Sequence, residues 1–341
     1  LKVPELFGQH WGQDAFVSFY LRNVILFVLP FLAIFFAWKR ELQGMDRFRL
    51  AAPFVAGGLL MNLLPFTREG HTEILAVLHL PIALWFAIGF AYAGGRWRDP
   101  ARRMNFVRFS GEWFIYYVLI ALGGGVLIGF TLFLFQAIGL SAEVLVANWI
   151  MPCGAAGALL IGAWLVEAKQ SVIENMAPVL TRLFTPLFAV LLLLFVITMI
   201  TTGNGLDLER ELLIGFDLLL VLVLGLLLYS ISARDPQAPP GLFDRLQLVL
   251  VLSALLVDLL ALAAIAARIA EFGFSPNKVA ALGENLILLV NLGWSALLYG
   301  RFLTGRGTFA ALERWQTGYL PIYAIWAWVV VALFPVLFGF R

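Results

Sequence analysis

The feature that most constrains this chain is a series of apolar runs, each about twenty residues long and almost free of charge. A helix of about 20 apolar residues crosses the hydrocarbon core of a bilayer and satisfies its backbone hydrogen bonds internally. The runs lack the alternation of apolar and polar residues that marks the strands of a membrane β-barrel. Because 62% of the residues are apolar and only 13% are charged, a water-soluble domain is excluded. The sequence therefore predicts an all-α fold, a polytopic transmembrane helical bundle.

Ten spans are predicted from the apolar runs. They lie at residues 18–38, 50–66, 73–94, 113–139, 143–166, 183–202, 212–232, 246–268, 277–300 and 318–339. The run at 50–66 is short and holds Pro53, so a re-entrant segment is the alternative there. Together the spans predict a single integral membrane domain over residues 1–341. The chain begins with Leu1 rather than Met and shows no signal peptide, so we expect an upstream N-terminal part to precede it.

The distribution of Lys and Arg between the loops predicts the orientation, because cytoplasmic loops are richer in these residues. With ten spans, sixteen of the 23 Lys and Arg residues fall in one set of alternate loops, and the other side holds seven. If the run at 50–66 did not span, the two most basic loops would lie on opposite faces of the membrane. The pattern therefore favours ten spans, with both ends of this chain on the non-cytoplasmic side.

One basic stretch is a candidate for contact with membrane lipids. Arg102, Arg103 and Arg108 are interspersed with apolar residues just before the span at 113–139. This pattern is typical of a helix that lies along an anionic membrane surface. A plain basic loop is the alternative.

Arg268 and Lys278 are two further candidates for lipid contact. They flank the short turn between the spans at 246–268 and 277–300. Long basic side chains at the ends of membrane helices extend toward the headgroups. Membrane lipids are therefore the predicted partners, and the sequence indicates no particular protein partner.

Three acidic residues lie inside predicted spans, although an ionised carboxylate at the bilayer centre costs about 2.5 to 3.5 kcal/mol on insertion scales. They are Asp217, Asp258 and Glu284. At about 1.5 Å per residue, Asp258 lies roughly 15 Å below Arg268, and Glu284 lies roughly 12 Å below Pro276. Because a short turn joins these two spans, we expect antiparallel neighbours in which Asp258 and Glu284 face each other.

Amide side chains accompany the acids on the span at 277–300. Asn277, Glu284 and Asn291 recur every seven residues and so share one helical stripe, with Asn285 beside it. One interpretation is a cavity open to the outer side, in which carboxylates bind a cation or exchange protons. The other is that each acid is protonated or bonded to a neighbouring group and simply joins the helices.

Several classes of function find no support in the sequence. Lys and Arg sit in short clusters between apolar runs, which is not the pattern of a nucleic-acid-binding protein. Cys153 is the single cysteine, which excludes a Cys-rich metal site. The spacing of Glu69, His71 and Glu73 fits no zinc motif, and the motifs of serine hydrolases and nucleotide-driven pumps are absent. We therefore expect no metal and no cofactor, and no catalytic residue is indicated.

Three segments carry a resemblance to a known family. They read RMNFVRFSGEWFIYYVLIALGGGVL at 103–127, FGFSPNKVAALGENLILLVNLGWSALL at 272–298 and ERWQTGYLPIYAIWAWVVVALFPVLFGF at 313–340. They resemble the bacterial polytopic membrane proteins called domain of unknown function forty-one fifty-three, and the resemblance extends over most of the chain. It implies a multi-pass protein with many helices in the bacterial cytoplasmic (inner) membrane. It brings no established activity and no catalytic residues.

Three hypotheses for the function follow. The leading one is a transporter or permease whose polar path is lined by Asp217, Asp258, Glu284, Asn285 and Asn291. The second is a non-transporting membrane subunit or sensor that binds a partner through its loops and the basic stretch at 96–108. The third is an intramembrane enzyme that acts on lipid-linked substrates, although an enzyme is the less favoured class.

Overall fold

The computed structural model describes residues 14–67, 70–137, 141–168, 185–190, 192–194, 197 and 210–340. Helices and short connections make up these residues, and no β-strand occurs among them. The prediction of an all-α fold is therefore confirmed for the described part of the chain.

The helices follow the apolar runs of the sequence. In chain order they are α1 (Asp14–Lys39), α2 (Met45–Leu63), α3 (His71–Tyr92), α4 (Pro100–Ala137), α5 (Glu143–Ala168), α6 (Arg210–Ala233), α7 (Leu242–Phe272), α8 (Pro276–Leu303), α9 (Phe309–Ala332) and the single turn α10 (Phe334–Leu337). One π-helical turn, Val146–Ile150, lies within α5. Residues 185–190 and 192–194 are also helical.

Seven of these helices are long and apolar enough to cross a membrane, namely α1 and α3 to α8. The chain is therefore a membrane protein. Two of the other predicted spans fall in α2 and α9, which are less apolar. α2 carries Asp46, Arg47 and Arg49 in its first turns, and α9 carries charged and amide side chains in its first half. Half of the span predicted at 183–202 lies outside the described residues, so the count of ten is not confirmed.

Helix α4 begins well before its apolar run, because its first turns are stabilised without burial in lipid. Pro100 occupies its first position, where the missing backbone N–H has no partner to lose. Asp99 caps the helix by accepting a hydrogen bond from the Ala101 backbone N–H at 2.9 Å. The basic stretch before residue 113 is consequently helical and continuous with the apolar part of α4, and the alternative of a plain loop is wrong.

The chain forms two compact units. Unit 1 comprises Leu1–Trp97, Phe109–Ile173 and Phe340–Arg341, and unit 2 comprises Arg98–Arg108 and Glu174–Gly339. Since one membrane domain can contain two compact units, the single domain over residues 1–341 stays a prediction.

In unit 1, α1 packs against α2, α3 and α5. Asn23 on α1 and Asn62 on α2 exchange side-chain hydrogen bonds of 3.0 and 2.8 Å. Arg22 pairs with the buried Glu73 on α3 at 2.7 Å. Apolar residues fill the space between α1 and α3, among them Leu29, Leu32, Phe36, Leu84 and Ile88. These polar side chains of α1, α2 and α3 are thus paired across helices, as the absence of water in the bilayer favours.

In unit 2, α7 and α8 pack against each other along most of their length, and α6 and α9 contact this pair. The connection between α7 and α8 is a tight turn in which Gly273 has a φ of 73°, a conformation that strongly favours glycine. The prediction that these two helices are neighbours is therefore confirmed.

An ion pair joins the other end of unit 2. Arg234 at the end of α6 donates to both carboxylate oxygens of Asp244 on α7, at 2.7 and 3.1 Å. The guanidinium lies 4.8 Å from the ring centre of Phe302 on α8 and 4.4 Å from that of Phe309 on α9. Asp244 also accepts the backbone N–H of Gly241 at 2.7 Å. We call this cluster the Arg234 latch, because it ties the ends of four helices together.

The contact between α8 and α9 is sensitive to the size of one side chain. A Cβ atom at Gly283 would clash with the indole ring of Trp326, whereas a Cβ atom at Gly293 on the same helix would meet no atom within 4 Å. We predict that Gly283→Ala lowers the free energy of unfolding by about 1–3 kcal/mol, the usual cost of overpacking. Gly293→Ala should leave it unchanged or raise it, because alanine favours helix. Unfolding of both variants in detergent micelles measures this, and equal stabilities would contradict the packing.

Candidate functional site

The predicted acids lie on three helices of unit 2, α6, α7 and α8, that contact one another. Asp217 lies on α6, Asp258 on α7, and Glu284 and Asn285 on α8. Asp258 and Asn285 are fully buried, whereas Asp217 and Glu284 are partly exposed. We call these four residues the acid cluster.

Asp258 is the most unusual member of the acid cluster. It is fully buried, and neither carboxylate oxygen has a hydrogen-bond partner among the described residues. A bare charge in apolar surroundings is very costly unless it is paired or neutralised. Asp258 therefore requires a proton or a bound cation that the described side chains do not supply.

Asp217 is held by Asn285. The Asn285 side-chain amide donates to Asp217 Oδ1 at 2.8 Å and to the Ala281 carbonyl at 2.8 Å. Both partners accept hydrogen bonds, which orients the NH₂ group toward them. The carbonyl oxygen of the same amide, Asn285 Oδ1, is buried and has no partner within the described ranges. The acid cluster thus contains three buried oxygen atoms that accept no hydrogen bond.

The three acids lie on helices that contact one another. Asp217 is on α6, which packs against α7 with Asp258 and against α8 with Glu284. Helix α7 continues past Arg268 to Phe272. Counted from that end, Asp258 lies about 21 Å along its helix, compared with about 12 Å for Glu284 along α8. Asp258 therefore lies farther from the turn between the two helices than Glu284 does, and the depth of both in the membrane stays a prediction.

Asn291, predicted to share the polar path, belongs to a different cluster. It is fully buried and exchanges two side-chain hydrogen bonds of 3.1 Å with Gln316 on α9. Gln316 also donates to Ser295 at 2.7 Å, and Ser295 donates to the Asn291 carbonyl at 2.7 Å. The amide groups of this Asn291–Gln316 pair are bonded to each other, so the pair fits a role in joining α8 to α9.

Gln316 was missed in the sequence because it precedes the apolar run that begins at residue 318. Helix α9 starts at Phe309, two turns earlier, which places Gln316 inside the bundle. Gln247 was missed for the same reason, since it lies at the edge of its run. It is buried and donates to Ser230 at 2.7 Å and to Thr185 at 2.9 Å.

Two of the three candidate lipid-contacting residues at the start of α4 have partners within the protein. Arg102 lies 3.6 Å from Asp99, and Arg108 donates to the Ser232 carbonyl at 3.0 Å. Arg103 has a buried Nε atom without a hydrogen bond to any described residue. Their contact with lipid stays a prediction.

At the turn between α7 and α8, Lys278 donates to the carbonyls of Gly273 at 2.8 Å and Arg268 at 3.3 Å. Its charge therefore lies at the C-terminal end of α7, where the helix dipole favours a cation. Lipid contact by Lys278 and Arg268 likewise stays a prediction.

Unit 1 contains a cleft of about 400 Å³, lined by Phe35, Trp38, Lys39, Glu41, Trp164, Glu167 and Ala168. Its buried carboxylate, Glu167, is already paired with Lys39 at 2.6 Å and Arg40 at 3.0 Å. Across the described ranges, no three His, Cys, Asp or Glu side chains come together as a metal site. The acid cluster therefore remains the stronger candidate, since it alone among these features leaves a fully buried carboxylate without a partner.

The chain matches no protein-family model, no curated protein and no solved structure. The chemistry of the acid cluster is consequently inferred from its geometry.

The hydrogen bonds between Asn291 and Gln316 allow a test of whether this pair holds α8 and α9 together. Replacing one amide leaves the other buried without a partner, so Asn291→Leu and Gln316→Leu should each lower the free energy of unfolding by about 1–3 kcal/mol. The double variant should recover part of the combined loss, because no amide is then left unpaired. Unfolding of the four proteins in detergent micelles measures the coupling. Strictly additive losses would show that the two side chains do not depend on each other.

Proposed function

We propose that this chain is a transporter or permease-like protein of the bacterial inner membrane, with a polar path formed by Asp217, Asp258, Glu284 and Asn285. The observation that carries the proposal is Asp258, whose two carboxylate oxygens are buried without a partner in the described part of the chain. Intramembrane acids of this kind commonly bind ions or relay protons.

Other buried polar side chains of unit 2 provide a comparison. Asp244 is also buried, but Arg234 neutralises it with two hydrogen bonds. The Asn291–Gln316 pair is likewise bonded within the protein. If Asp258 served only to join helices, it would need such a partner, because an unpaired buried charge weakens the fold. An exchangeable proton or cation accounts for its position better.

We propose that ten helices span the membrane, with both ends of this chain on the non-cytoplasmic side. The seven apolar helices would be joined by α2, α9 and the segment at 183–202. The excess of Lys and Arg in one set of loops supports this arrangement. It would place the Arg234 latch at the cytoplasmic end of unit 2 and the partly exposed Asp217 nearer the outer end. In this topology the polar path would be closed at the Arg234 latch and would open to the outer side near Asp217.

The resemblance to the bacterial family with domain of unknown function forty-one fifty-three supports the proposed location. Because that family brings no established activity, it leaves the transported solute open. Contact of the basic residues with membrane lipids is part of the same proposal.

Asp258→Asn tests the proposed transport. The full chain, reconstituted on a solid-supported membrane, is exposed to a panel of amino acids, sugars, organic acids and inorganic cations while the current is recorded. We predict that at least one solute gives a current and that Asp258→Asn abolishes it, because the amide carries no exchangeable charge. The variant should remain monodisperse, since an amide has nearly the same shape as a carboxyl group.

Ser253→Ala is the matched control. Ser253 is buried on the same helix as Asp258, and its hydroxyl donates to the Val249 carbonyl of that helix, at 2.8 Å. The Ser253→Ala variant should retain the current. A current that is unchanged in Asp258→Asn would contradict the proposed path, and so would loss of folding in Asp258→Asn but not in Ser253→Ala.

A further inference from the structure

The surroundings of Asp258 indicate which ion it holds. On α7 the buried positions within one turn of it are apolar, namely Ala254, Val257 and Ala261. No described side chain offers its carboxyl group a hydrogen bond. Among the described residues, the Asp258 carboxyl group is therefore not enclosed by hydrogen-bonding groups.

A metal cation and a proton make different demands on such a site. Na⁺, Mg²⁺ and Ca²⁺ are bound by several oxygen ligands arranged around the ion. Across the described ranges, no three acidic, histidine or cysteine side chains are arranged so that they could hold a metal ion together, and the buried neighbours of Asp258 on α7 are apolar. A proton needs only one carboxylate oxygen and leaves a neutral group, which apolar surroundings tolerate far better than a charge. The observations at Asp258 therefore favour a proton.

A proton on Asp258 also needs a route to water. Asp217 is only partly buried, and it lies on α6, which packs against the helix that carries Asp258. The fully buried Asn285 holds Asp217 through its NH₂ group and leaves its own carbonyl oxygen without a partner. This carbonyl oxygen can accept a hydrogen bond from a water molecule or from another proton-carrying group.

We propose that the ion coupled to transport is a proton, which is held on the carboxyl group of Asp258 and exchanged with the outer side through Asp217. This inference rests on the proposed transport function. In the exchange, the O–H bond of the Asp258 carboxyl group breaks and the proton passes, by way of water, to the carboxylate of Asp217. No electron is transferred, and the pair carries one proton before and after the step.

Labelling with N,N′-dicyclohexylcarbodiimide tests the proton site. The reagent partitions into the membrane, and a protonated carboxyl group adds across one of its C=N bonds. The full chain in liposomes is treated over a range of pH, in Na⁺ and in choline buffer, and the labelled peptides are identified by mass spectrometry. We expect label at Asp258 that declines as the pH rises and that is the same in Na⁺ and choline.

Asp244 serves as the control within the same molecule. It is buried like Asp258 but paired with Arg234 at 2.7 Å, so it should remain unlabelled. Asp258→Asn should remove the label from its peptide. Protection of Asp258 by Na⁺ at constant pH would overturn the inference in favour of a metal cation, and absence of label at every pH would overturn it as well.

This result and that of the transport assay are separable, because labelling requires no solute. Label that depends on pH, in a protein that passes no current with any solute, would uphold the proton site and contradict the transport function.

Asp217→Asn tests the route. The asparagine side-chain oxygen can still accept the hydrogen bond from Asn285, so the local structure should be retained. We expect Asp258 to be labelled as before, while proton flux into the liposomes, followed with a trapped pH-sensitive dye, is largely lost. Ser253→Ala should keep both. Proton flux equal to that of the unaltered protein would show that Asp217 is not the route.

Discussion

The requirement that every polar group inside a bilayer be neutralised and hydrogen-bonded governs this structure. Most buried polar side chains in the described helices meet it through a partner on another helix, as Asn23 does with Asn62 and Asn291 with Gln316. Such pairs join helices where lipid provides no hydrophobic drive for association. Asp258 departs from this rule, and the proposed function follows from that departure.

The two ends of unit 2 differ in a way that suits a one-sided path. At one end the Arg234 latch combines an ion pair with two aromatic contacts and ties four helices together. Removing one partner of such a buried pair costs about 3–5 kcal/mol, so the helices are held together strongly at this end. Toward the other end lie the partly exposed Asp217 and the Asn285 oxygen that has no partner among the described residues. In the proposed transport function, a solute or proton would reach the acid cluster from that end.

Hydrophobic length was sufficient to predict the helical fold and most helix positions, because the bilayer sets the length of an apolar run. It was insufficient for Gln316, since the helix continues beyond its apolar part and carries that amide into the bundle. The acids Asp217 and Asp258 could be predicted as candidates, because a carboxyl group within a span is rare. The hydrogen-bond partners of the polar side chains could not be predicted, because they depend on packing. Asn291 and Asn285 look alike in the sequence, yet Asn291 bonds to Gln316 and Asn285 bonds to Asp217.

The measurement that tests the central claim most directly is an experimental structure of the full chain in lipid, at a resolution that reveals ordered water. The account predicts that no protein side chain bonds to the Asp258 carboxyl group and that ordered water leads from Asp217 toward it. A basic or amide side chain bonded to Asp258, from any part of the chain, would make it a joining residue like Asn291 and would contradict the account.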